Sequence, residues 1–145
     1  MDPFDAALPG SPTKVLVIDD SNTIRRSAEI FLRQGGHEVV LAEDGFDALA
    51  KVNDHSPQII FCDILMPRLD GYQTCAIIKR NPRFAHVPVI MLSSKDGLFD
   101  KARGRMVGSQ VYLTKPFTKE QLLRAVAQVG HGGGVVVDAA DRAGA

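Results

Sequence analysis

Lys14-Val15-Leu16-Val17-Ile18-Asp19-Asp20-Ser21 is the stretch that decides the fold. Its first five residues are strand-prone and lack polar alternation, so they predict a strand buried on both faces. The strand stops on two acids. The same form recurs down the chain. Gln58-Ile59-Ile60-Phe61-Cys62 stops on Asp63, Val87 to Leu92 stops on Ser93-Ser94, and Gln110 to Leu113 stops on Thr114-Lys115-Pro116-Phe117. His37 to Leu41 reads as one further strand.

Helical patterns fill the intervals. Ile24, Ala28, Phe31 and Leu32 recur at helical spacing before the stop signal Gly35-Gly36. Asp44 can cap a helix carrying Phe46, Leu49 and Val52, and Asp70-Gly71 opens another with Cys75 and Ile78, ended near Asn81-Pro82. Asp96 to Val107 is a weaker helix closed by Gly108. Thr118 and Gln121 form a capping-box pattern ahead of Leu122, Val126 and Val129. Strand and helix thus alternate five times with short connections. That predicts an α/β fold, a doubly wound five-stranded parallel sheet with helices on both faces.

The 145 residues are 45% hydrophobic and 23% charged, enough for one domain with a core that needs no staples. The expected boundaries are a flexible leader over 1–13, the domain over 14–129 and a flexible extension over 130–145, which holds Gly132 to Gly134 and Val135 to Val137. Seventeen basic residues balance seventeen acidic ones, which argues against nucleic-acid binding by bulk charge. The apolar runs are far shorter than the roughly 18 residues of a membrane span, and the first 13 residues lack a signal-peptide pattern. Cys62 and Cys75 have no ligand spacing and read as core packing in a reduced, cytoplasmic protein. His37, His55, His86 and His131 form no ligand pattern.

In an open parallel sheet, ligands bind beyond the carboxyl ends of the strands. There this chain collects Asp19, Asp20, Asp63, Ser93, Ser94 and Lys115. Each has an ordinary reading, as a helix cap or a turn residue. Their conjunction at four strand ends does not. Carboxylates about 4 Å apart repel by about 4 kcal/mol at an effective dielectric of 20. Hard oxygen ligands with room for water suit Mg²⁺. Lys115 would neutralise a phosphate oxygen and Ser93 would donate a hydroxyl. That is equipment for phosphoryl transfer, with Asp63, at the end of a central strand, as the nucleophile.

Val15 to Ser21, Phe61-Cys62-Asp63-Ile64-Leu65-Met66-Pro67 with Asp70-Gly71, Pro88 to Ser94, and Thr114-Lys115-Pro116-Phe117 resemble the four signatures of bacterial two-component response-regulator receiver domains, the CheY-like family. The likeness runs in order and register from about Lys14 to Val129. Asp44 to Ala50, Met66 to Ala76 and Ser93 to Lys101 are further similar to the PilG-type regulators of type IV pilus twitching motility.

This resemblance implies the flavodoxin-like strand order 2-1-3-4-5 and a set of roles. Asp63 would be the phosphoacceptor. Asp20, Asp63 and the backbone carbonyl of Leu65 would hold Mg²⁺, with Asp19 acting through bound water. Lys115 would contact the phosphoryl group, across a cis Lys115–Pro116 bond. Ser93 would be the switch hydroxyl beside Ser94, and Tyr112 the switch aromatic. Phe99, Lys101, Arg103, Arg105 and Tyr112 would lie on or near an output surface; the basic residues among them also read as a solvated helix face. The implied partners are a histidine kinase or phosphotransfer domain and an effector of the pilus machinery, with no nucleic acid and no membrane insertion. The implied state is a monomer or weak phosphorylation-dependent dimer in the cytoplasm, with recruitment to the cell pole.

Alternatives stay open at this point. The chain could be a phosphate sink or relay without a direct effector. A Mg²⁺-dependent phosphatase similar to the haloacid dehalogenases needs a second acid two residues after Asp63, where Leu65 stands, and a cap domain. A flavodoxin-like cofactor binder needs a Ser/Thr/Gly phosphate loop where Asp19-Asp20-Ser21-Asn22 would repel phosphate. A transcription factor needs a helix-turn-helix domain, for which some fifteen residues past the last helix are too few.

Overall fold

The computed structural model describes residues 12–94, 109–130 and 137–138. Within them the chain runs β1 (Lys14–Ile18), α1 (Asn22–Gln34), β2 (Glu38–Ala42), α2 (Gly45–His55), β3 (Ile59–Asp63), α3 (Gly71–Arg80), β4 (Val89–Ser94), β5 (Ser109–Lys115), α4 (Lys119–Gly130) and β6 (Val137–Asp138). The sheet order is β2-β1-β3-β4-β5-β6, and every pairing is parallel. Its first five strands have the order 2-1-3-4-5 that the family likeness implied. The sixth was not anticipated. Two residues of the presumed flexible extension pair with β5, Val111 opposite Val137 and Tyr112 opposite Asp138. The helix expected over 96–107, with Phe99, Lys101, Arg103 and Arg105, lies outside the described residues.

The caps follow local chemistry. Ser21 accepts from the Ile24 N–H at the start of α1, and Asp44 from the Asp47 N–H at the start of α2. Asp70 and Gln73 close a reciprocal capping box on α3. Thr118 and Gln121 do the same ahead of α4, at 2.9 and 3.1 Å.

The sheet divides two cores. On one face Val15, Val17, Ile59, Phe61, Ile90, Leu92, Val111 and Leu113 pack with Ala28 and Leu32 of α1 and Leu122, Ala125 and Val126 of α4. On the other, Leu16, Ile18, Ile60, Cys62, Met91 and Tyr112 pack with Ala48 and Val52 of α2 and Tyr72, Cys75 and Ile78 of α3. Val15 to Ile18 are fully buried, as a double-faced strand requires. Both cysteines are free and buried among apolar neighbours.

Strand ends differ from the sequence reading in one respect that matters. β3, β4 and β5 each continue through the polar residues, so Asp63, Ser93, Ser94 and Lys115 belong to the ladder itself. Asp63 sits opposite Leu92, Ser93 opposite Thr114, and Ser94 opposite Lys115. Their backbones are therefore held by the sheet, and their side chains emerge from a rigid edge rather than from a loop.

An acidic pocket at the carboxyl edge of the sheet

Three distant segments meet at the carboxyl ends of β1, β3 and β5. The carboxylate oxygens of Asp19, Asp20 and Asp63 lie within 4.8 Å of one another. Lys115 reaches between two of them, its Nζ 3.1 Å from Asp19 Oδ2 and 3.0 Å from Asp63 Oδ1. Asp19 is fully buried, Asp63 is 4% exposed and Asp20 is exposed. The other oxygen of Asp19 accepts from the Ser21 N–H at 2.9 Å. Asp19 is thus pinned from two sides, and Asp63 faces a cavity of about 160 Å³ lined by Asp20, Ile64, Leu65, Leu92, Ser93, Ser94 and Lys115.

The electrostatics are unbalanced. Three carboxylates stand against one ammonium, leaving two negative charges in excess when all are ionised. Two such charges 4.8 Å apart repel by about 3.5 kcal/mol at an effective dielectric of 20. Burial first, and then the Asp19 charge, push the Asp63 carboxyl up to about 7; Lys115 opposes them. Burial also raises Asp19 against the Ser21 N–H and Lys115. Burial would lower the Lys115 ammonium, but its two carboxylate neighbours outweigh it and the net shift is upward.

An all-oxygen donor set, surplus negative charge and an opening to solvent fit a hard divalent cation that keeps several waters. A soft metal is a poorer fit, because the nearest thiol, Cys62, is buried and its ionisation is suppressed by its contact with Cys75 and by burial.

The remaining predicted residues are placed as follows. Ser93 is buried at the pocket wall, and its hydroxyl donates to the Ser94 carbonyl at 3.2 Å rather than toward Asp63. Ser94 is exposed at the rim. Leu65 is 55% exposed and lines the mouth. The Lys115–Pro116 bond is cis. Tyr112, assigned also to the output surface, is only 7% exposed, so in this arrangement it offers that surface almost nothing. Its ring belongs to the core with Cys62, Met91 and Tyr72, because the strand pleat points residue 112 to the face covered by α2 and α3.

Two supporting residues were missed. Arg25, one turn into α1, hydrogen-bonds the backbone carbonyl of Asp19 and the side chain of Asn22. Gly71 begins α3 against the strand that carries Asp63. A Cβ there would fall 2.9 Å from Ile64 Cα and overlap the Asp63 carbonyl oxygen. The sequence showed Gly71 as a helix-opening residue, but that close backbone approach has no local signature.

Residues 15–127 match the family model of the response regulator receiver domain. The chain belongs to the response-regulator receiver family. This receiver domain is 69% identical over 113 residues to Protein PilG of Pseudomonas aeruginosa, covering 78% of this chain and 84% of that one. It is 34% identical over 116 residues to Protein PilH of the same organism, covering 80% of this chain and 96% of that one. Among solved structures, chemotaxis protein CheY4 of Vibrio cholerae superposes with a TM-score of 0.77 at 33% identity, covering 81% of this chain and 98% of that one. Among the described residues no helix is long and apolar enough to cross a membrane.

The pocket makes a pH prediction for the ion-free receiver. A carboxyl whose folded pKa lies above its unfolded value holds its proton more tightly when folded. Its stabilising contribution is complete below about pH 4 and is lost as pH rises through about 7. An unscreened shift of that size would amount to about 4 kcal/mol; the open mouth reduces this to about 2 kcal/mol. The thermal midpoint is expected to fall by several degrees between pH 5 and 8. Millimolar Mg²⁺ is expected to restore it at pH 8. A midpoint that rises over that range, or ignores Mg²⁺, contradicts the assignment.

Proposed function

We propose that this receiver is a phosphoacceptor switch that takes a phosphoryl group from a phosphohistidine of a partner histidine kinase or phosphotransfer domain onto Asp63. The observation that carries the reading is the bridge from Lys115 to Asp19 and Asp63, which joins residues 96 and 52 positions apart. A salt bridge needed only for stability gains little from a second, repelling carboxylate. A site that must meet an incoming phosphoryl group uses both charges.

Asp63 is the nucleophile. Its oxygen bonds to phosphorus as the P–N bond to imidazole breaks, and the imidazole leaves with that electron pair. Lys115, whose Nζ lies 3.0 Å from Asp63 Oδ1, follows the charge onto the phosphoryl oxygens. Asp20, Asp63 and the Leu65 carbonyl would hold Mg²⁺, with Asp19 acting through its water; bound there, the ion neutralises phosphoryl and carboxylate charge. After transfer, Ser93 turns its hydroxyl from the Ser94 carbonyl to the phosphoryl group, and the packing around Tyr112 adjusts. This is a population shift within one fold.

Leu65 separates this reading from the phosphatase alternative. A hydrolase of aspartyl phosphate needs an acid or base at that position, and a half-exposed Leu provides neither. Leu65 also cannot orient water, so the modified state is long-lived. Leu65→Asn is expected to shorten the acyl-phosphate lifetime about tenfold, timed by loss of the phosphoryl mass. An unchanged lifetime would refute that role for the position.

The 69% identity to Protein PilG supports control of type IV pilus-dependent twitching motility through a pilus-machinery effector. The proposal is tested by incubating the protein with Mg²⁺ and acetyl phosphate. Intact mass should gain one phosphoryl group, and the adduct should be sensitive to hydroxylamine. Pull-down with and without beryllofluoride then identifies proteins that read the modified form. An unmodified mass under saturating donor defeats the proposal.

A further inference from the structure

We infer that residues 137–138 are an intramolecular strap over the outer edge of β5, holding a strand-accepting site that an extended segment of a partner protein would otherwise occupy. The strand β6 pairs with β5 in parallel, Val137 opposite Val111 and Asp138 opposite Tyr112. Without it β5 would be the last strand of the sheet among the described residues. From Ser109 to Thr114 that strand reads Ser-Gln-Val-Tyr-Leu-Thr, with no charge, proline or glycine to discourage pairing. Val111, Tyr112 and Leu113 are 1%, 7% and 0% exposed. Past the register shift at Gln110, residues 111–114 pair regularly with β4, and an uncharged edge of this kind is a template for another strand that proteins cover or blunt.

The chain supplies its own cover. α4 returns from the end of β5 along one face of the sheet, and six residues separate Gly130 from Val137. β5, α4 and β6 therefore make the parallel crossover that the other strands also use. Gly132 to Gly134 impose no conformational preference, and Val135 to Val137 are β-branched and strand-prone. The paired segment is only two residues long. Its hold depends on the tether, which sets a local concentration in the millimolar range. A partner strand matching four or more residues of β5 would displace it. That edge belongs to the strand that carries Lys115, so a partner seated there would lie on the strand that lines the phosphoacceptor pocket. The strap itself does not depend on the phosphoacceptor reading.

Amide hydrogen exchange on the full, unmodified chain tests it, with Val137→Pro and Asp138→Pro as separate variants. Successive N–H groups of a strand point to opposite sides, so one of the two prolines removes a donor that faces β5. In that variant the outward-facing amides among Val111, Tyr112 and Leu113 should exchange at least tenfold faster than in wild type, with β1 and β3 amides unchanged. A synthetic peptide of residues 131–145, added in trans, should bind that variant at least fivefold more tightly than wild type. Exchange unaffected by either proline, or equal peptide binding to variant and wild type, overturns the strap. Protection that grows with protein concentration assigns the covering strand to a second copy and overturns it too.

Discussion

Asp63→Asn is expected to gain no phosphoryl group from acetyl phosphate and Mg²⁺ under conditions that fully modify the wild type. The amide is no nucleophile, and no neighbour can take over its position. Asp19 is fully buried and held by Lys115 and the Ser21 N–H. Asp20 is exposed, and Lys115 pairs with Asp19 and Asp63. The rate should fall by at least about 1,000-fold, the scale on which loss of a nucleophile is read. Retained uptake would move the acceptor elsewhere. The same variant carries a second signature of opposite sign. It removes a carboxylate that resists ionisation until about pH 7, so the ion-free protein should become more stable at pH 8 and lose most of its pH slope. A merely misfolded variant would show neither the gain nor the flattened profile.

Lys115→Ala should slow modification of Asp63 by about 100- to 1,000-fold, the range for losing one aimed charge in a partly enclosed site. Lys115 lies 3.0 Å from Asp63 and 3.1 Å from Asp19, with its side chain 15% exposed. Its removal leaves two facing carboxylates without a cation, a change that costs about 3–5 kcal/mol when both charges must persist. Here they need not persist. Asp63 already protonates near neutrality, and without the opposing ammonium its pKa rises further. The cost should therefore be concentrated at high pH, and the variant should approach wild-type stability near pH 5. Lys115→Arg should restore stability more than rate, because a planar fork cannot occupy the point position of an ammonium between two carboxylates. Stopped-flow or mass kinetics alongside thermal melts at pH 5 and 8 separate these effects. A wild-type rate in Lys115→Ala would remove Lys115 from the reaction.

The sequence disclosed the sheet because burial on both faces leaves a strong pattern. Val15 to Ile18 and Ile59 to Cys62 are continuous apolar runs, and continuous runs mean strands covered twice. It disclosed the pocket because Asp19, Asp63 and Lys115 each terminate such a run, and parallel pairing must then gather them at one edge. Orientation was not legible. The Ser93 hydroxyl donates to the adjacent carbonyl, a choice made by torsions rather than by residue type. Neither was Arg25, whose contact with the Asp19 carbonyl depends on how α1 leaves β1. The role of Gly71 is fixed by the backbone of Asp63 and Ile64, eight and seven residues away in sequence, whose Ile64 Cα would lie only 2.9 Å from a Cβ. The strand β6 was hidden for a different reason. Two residues cannot show a period, and three preceding glycines have the composition of a loose end.

The two faces of the sheet differ in hardness. Cys62, Met66, Cys75 and Met91 all fall on the side that holds Tyr112, with Cys75 Sγ 3.8 Å from Met91 Sδ, whereas the core under α1 and α4 is built from aliphatic and aromatic carbon. Thioethers and thiols are polarisable, and methionine in particular re-seats without leaving voids. The molecule is thus upholstered on one side and braced on the other. A ring can shift its weight in the cushioned half while the stiff half keeps the strand ends, and the chemistry mounted on them, in alignment.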